Sequence, residues 1–133
     1  TVASRATAQE LLAVADAARL SHATATATTA YGWVRSRHPG TAASAQAAFS
    51  LGRLTFRAGH WALAASWFER YVTERPRGTL AAQARGRAMA CRAKLSDDGA
   101  ACRAALAYIS HHPKGPRASL AAKERRRCRS DAR

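Results

Sequence analysis

Histidine and cysteine are the residues whose types could do chemistry in this chain, and several of them recur at regular intervals. His111 and His112 open the stretch "HHPKGPRASLAA" at 111–122, His38 lies in "RHPGTAASAQAA" at 37–48, and the related "ERPRGTLAAQAR" fills 74–85. The cysteines are Cys91, Cys102 and Cys128. A zinc site built from these would be expected to show Cys-x-x-Cys or His-x3-His spacing, and neither occurs. His38 and His112 hold the same place before a proline, and Arg75 fills it in the middle stretch. A position that accepts arginine is not a metal ligand by design; a cationic side chain beside the last carbonyls of a helix is the simpler role. The chain has 8 Asp and Glu, with no nucleophile elbow, no glycine-rich phosphate loop and no acid and base at a telling spacing. It reads as non-enzymatic, with no catalytic, cofactor-binding or metal-binding residues.

The elements that carry these residues follow from the prolines. Pro39, Pro76 and Pro113 are separated by 37 and 37 residues. Twelve positions before each lie Ala27, Ala64 and Ala101, and eight positions before each lie Tyr31, Phe68 and Ala105. Small and then large is how two helices approach closely and lock. Nearer the prolines lie Val34 with Arg35, Tyr71 with Val72 and Tyr108 with Ile109, an apolar seam at helical spacing in two of the three units. Each unit therefore ends in a helix stopped by its proline, which lacks an N–H and disfavours helix in the residue before it. A second helix precedes it. In "AAFSLGRLTFRAGHWALAASWFERYVTERP", Gly59 separates a run with Phe49, Leu51, Leu54 and Phe56 from one with Trp61, Leu63, Trp67 and Tyr71. The periodicity predicts an all-α chain with helices near 8–20, 22–37, 41–58, 60–75, 79–95, 98–111 and 117–129. Trp33, Trp61, Trp67, Phe68 and Tyr71 are expected in the core.

Length and charge bound the reading. At 133 residues the chain is one domain in size. No apolar run approaches the roughly 20 residues of a membrane span, and the start lacks a charged-then-apolar signal pattern. Because it opens at Thr1 rather than methionine, the expectation is a processed protein or a segment of a longer one. Residues 75–133 hold 15 Lys and Arg against 4 Asp and Glu, a net of +11, while residues 1–74 hold 7 against 4, or +3. Three explanations stay open: an acidic protein partner, nucleic acid or another phosphate surface, and a solvated surface in an arginine-rich chain. Aromatics do not interleave with the basic run, which argues against a base-stacking platform and leaves nucleic-acid binding of the sequence-independent kind.

The pattern resembles the tetratricopeptide repeat, a helix-turn-helix unit of about 34 residues with small residues at the helix crossing, an aromatic in the second helix and a closing proline. Leu51 and Gly52, "AGHWALA" ending at Ala64, Phe68 and Pro76 carry the resemblance in the middle unit. Unit one keeps Ala15, Ala27, Tyr31 and Pro39, whereas unit three has Met89 and Ala105 where a small residue and an aromatic are expected. The longer period is similar to that of bacterial envelope proteins of this class, including Tol-Pal coordinators, and to the C-terminal repeat region of FecR-type anti-sigma regulators. The resemblance implies one domain over 1–133, with units at about 8–40, 41–78 and 79–115 stacked as a short right-handed superhelix and a capping helix at about 117–129. It implies a protein or acidic peptide partner held in a concave groove lined by first helices. Repeat phase places Phe49, Arg53, Phe56, Arg57, Gln83, Arg87 and Lys94 there. Alternatives are an accessory subunit of a larger assembly and non-specific binding of nucleic acid or an anionic surface. A periplasmic or envelope location is favoured.

The cysteines fit that frame in more than one way. Cys91 and Cys128 are one repeat apart, with Cys102 on the helix between them, so Cys102 could bridge to either, or all three thiols could stay reduced. A Cys102–Cys128 bridge would staple the last helix.

Overall fold

A computed structural model describes residues 6–128. Among them are seven helices and no strand: α1 Ala8–Leu20, α2 Thr24–Arg37, α3 Ala42–Arg57, α4 Trp61–Glu74, α5 Ala81–Ala93, α6 Asp98–His111 and α7 Ala118–Glu124. Each helix packs on the next, and α1 also reaches α3. None is long and apolar enough to cross a membrane.

Local chemistry sets the boundaries. Thr7 and Glu10 form a reciprocal capping box at the start of α1, and Thr41 and Asp97 accept the Ser44 and Ala100 amides at the starts of α3 and α6. The helices α2, α4 and α6 end alike. Their C-caps His38, Arg75 and His112 take φ of −132°, −135° and −138°, each just before its proline. The hydroxyls of Tyr71 and Tyr108 then accept the Leu80 and Arg117 amides, which anchors the entry into α5 and α7.

The core follows the 37-residue period. Ala27, Ala64 and Ala101 are buried, as are Tyr31, Phe68 and Ala105, and so are Ala47, Ala84 and Ala121. Gly52 allows a close crossing of α3 and α4: a Cβ there would come within 2.7 Å of the Phe68 ring. One period on, the sizes are reversed, with a fully buried Met89 on α5 and alanine at Ala105 on α6 in one cluster. The departure from the repeat pattern at these two positions is therefore a compensated swap.

Three expectations need correcting. Trp33 is 40% exposed with Arg37 stacked 5.3 Å from its ring centre, and Trp61 and Trp67 are only half-buried, while Phe68 and Tyr71 are core. The positions equivalent to Trp33 in the other units, Arg70 and Ala107, are exposed too, because they lie opposite the buried stripe of their helices. The last helix is shorter than 117–129: it ends at Glu124, turns again through Cys128, and residue 129 lies outside the described residues. After a turn at 125–126 the backbone is helical again at Arg127 and Cys128, and Arg127 crosses to the end of α5, donating to the carbonyls of Ala93 and Leu95 at 3.0 Å each.

Candidate partner-binding site

The three prolyl-flanking histidines have structural partners. His38 donates from Nε2 to the Ala6 carbonyl at 3.1 Å, and His111 donates from Nδ1 to Ala107 at 2.9 Å. His112 accepts at Nε2 from the Arg85 guanidinium at 3.0 Å. Burial, then the charge of Arg85, lowers its pKa and keeps the ring neutral. His38, Arg75 and His112 thus reach across to other elements rather than to the last carbonyls of their own helices, Arg75 donating to Gly40. Among the described residues no group of three His, Cys, Asp or Glu side chains gathers as metal ligands would.

Cys102 on α6 is joined to Cys128 beyond α7, their Cα atoms 4.9 Å apart. Cys91 is a buried free thiol, and burial pushes its pKa up to about 11, so it stays protonated and unreactive near neutral pH.

The arginines gather elsewhere. An open cleft of about 350 Å³ is lined by Arg19 and Leu20 at the end of α1, His22 in the following turn, Arg53, Leu54, Phe56 and Arg57 on α3, and Arg87 on α5. Its base is aromatic. Phe49 meets Phe68 edge-on at 5.2 Å and Tyr71 at 5.9 Å, Arg53 lies 4.7 Å over the Phe49 ring, and Arg87 lies 6.0 Å from both Phe49 and Phe68. Burial, then the charges of Arg19 and Arg87, lowers the pKa of Arg53. Arg53 and Arg87 are partly buried beside one another, while Arg57 is exposed.

The carboxylates are used up in other places. Glu10 caps α1, Asp97 caps α6, and Asp16 accepts the Tyr31 hydroxyl and faces Arg19. Glu74 takes both arms of Arg35 at 2.8 Å each, and Glu69 takes Arg92 at 2.7 and 3.1 Å. Asp98 and Glu124 take Arg127. Every carboxylate among the described residues is thereby engaged, and none pairs with Arg53, Arg57 or Arg87.

Of the residues expected to line a groove, Arg53, Phe56, Arg57 and Arg87 do share this cleft. Phe49 does not face it as a contact: it is 1% exposed and forms the floor under the two arginines. Gln83 is exposed and lines a separate depression with Arg87, Tyr108 and Arg117. Lys94 sits apart at the end of α5, 4.9 Å from the Trp61 ring centre. Arg19, Leu20 and His22 belong to the cleft but were missed, although repeat phase pointed to the first two: Arg19 is one period before Phe56, and Leu20 one period before Arg57. No protein-family model matches the chain, and neither does any curated protein.

Proposed function

We propose that the chain is a non-enzymatic protein–protein interaction module of the tetratricopeptide type, whose arginine cleft holds an acidic, extended segment of a partner. Three helix-turn-helix units at about 8–40, 41–78 and 79–115 stack with their first helices inward, and the last helix caps the array. The shared C-caps of α2, α4 and α6 and the 37-residue recurrence of buried alanines support this arrangement.

One observation carries the binding claim. Arg53, Arg57 and Arg87 converge on an open cleft where the one acid at hand, Asp16, faces Arg19 and forms no ion pair with these three. Guanidinium forks held over aromatic rings are set to take carboxylates bidentately, and an acidic ligand would supply the countercharge that Arg53, Arg57 and Arg87 lack. Other basic residues are exposed as well, among them Arg117, Arg125 and Arg126, the last two beside Leu106 in a separate open depression.

The test is calorimetric titration with an Asp- and Glu-rich peptide and, separately, with random duplex DNA. The peptide should bind the wild type, weaken as salt rises, and be lost on Arg53→Ala with Arg87→Ala, but survive Arg125→Glu with Arg126→Glu. Peptide binding that follows Arg125 and Arg126, or DNA binding that is the tighter of the two at physiological salt, would overturn this reading.

A further inference from the structure

Beside its arginines the cleft carries an apolar arm. Leu20, at 70% exposure, is the most open of the large apolar side chains among the described residues, and it lines the same cleft as the half-buried Phe56 and the core residue Leu54. Phe56 is held edge-on against Trp61 at 5.0 Å, which fixes the ring where a ligand would meet it. The turn that carries this arm is held in a costly shape. His22 has φ 63°, a left-handed conformation that side chains with a Cβ adopt at a cost, whereas its counterpart one repeat later is Gly59 at φ 81°. A strain-free residue is thus used in unit two, and an imidazole that lines the cleft is kept in unit one.

We infer that the cleft selects a two-part motif: a pair of carboxylates for Arg53 and Arg87, followed by a large apolar side chain seated between Leu20 and Phe56. This rests on the acidic-segment reading above and adds the partner's second determinant. Charge attraction alone would accept any polyanion and would fade with salt, whereas apolar burial persists in salt and separates one acidic partner from another.

The experiment uses two peptides of equal length and equal negative charge, one with phenylalanine beside its acids and one with serine there, measured by fluorescence anisotropy at physiological salt. The phenylalanine peptide should bind the wild type about tenfold tighter, as expected for one partly buried aromatic side chain. Leu20→Ser, a change on an exposed side chain checked for fold by circular dichroism, should remove that preference. Equal affinities on the wild type would sink the two-part motif while leaving the acidic reading in place. A preference that persists in Leu20→Ser would also sink it, and failure of both peptides to bind would sink the acidic reading with it.

Discussion

The guanidinium of Arg53 lies 4.7 Å over the ring of Phe49, and Phe49 is buried while Arg53 has no carboxylate partner among the described residues. The ring supports the charge without neutralising it. Replacing Arg53 by methionine keeps the stem packing on Phe49 and relieves repulsion from Arg19 and Arg87. Stability should hold within about 0.5 kcal/mol or rise. Affinity for an acidic peptide should fall about tenfold or more, the loss expected for a charge-assisted bond. Chemical denaturation beside calorimetry checks both, and a variant that loses stability without losing affinity would assign Arg53 to structure alone.

The Met89 and Ala105 pair predicts coupling. Met89→Ala should leave a cavity costing about 2–5 kcal/mol. Ala105→Phe should overpack by about 1–3 kcal/mol. Because a Cβ at Gly52 would meet the Phe68 ring, the double variant that restores the small-then-large order is Met89→Gly with Ala105→Phe, and it should recover a substantial part of the summed cost of its two single changes. Additive losses in a urea-melt cycle would show that the two side chains do not share one crossing.

Reduction should loosen the C-terminal end. The Cys102–Cys128 bridge closes a loop of sequence separation 26, for which the chain-entropy model gives about 3–4 kcal/mol. The melting temperature should drop with reductant or in Cys102→Ser, and intact mass should rise by about two hydrogens on reduction. Full alkylation of the unreduced, denatured protein at all three cysteines would contradict the bridge.

Acid should weaken the fold partly through Glu74. The hydrogen bonds from Arg35 hold its carboxyl below the usual value of 4.5. A depressed folded pKa gives stability that is present above the unfolded value and lost as pH falls through the folded one. The loss therefore begins near pH 4.5 and continues below it. Glu74→Gln should be less stable than the wild type at neutral pH, with the gap closing in acid. A constant gap from neutral pH down to strong acid would show that the ion pair does not carry this dependence.

Much of the helical layout was legible because its signals are local. The prolines at 39, 76 and 113 marked three helix ends, and the limits of α1 and α6 coincide with the expected ones. The size reversal at Met89 was not legible, because a repeat pattern scores each position separately and compensation across a crossing involves two. Repeat phase also placed Phe49 on the right helix without telling floor from wall, since that depends on Arg53 and Arg87 lying above it. The pairing of Arg35 with Glu74, 39 residues away, leaves no local trace, and so the identity of the unpaired arginines emerged only with the fold.

The most direct test of the central claim is an amide chemical-shift map of the chain titrated with an acidic peptide. Saturable shifts are expected at Arg19 to His22, Arg53 to Arg57 and Arg87, with little change beyond Arg117. Shifts confined to residues 117–128, or no saturable shifts in the cleft, would contradict it.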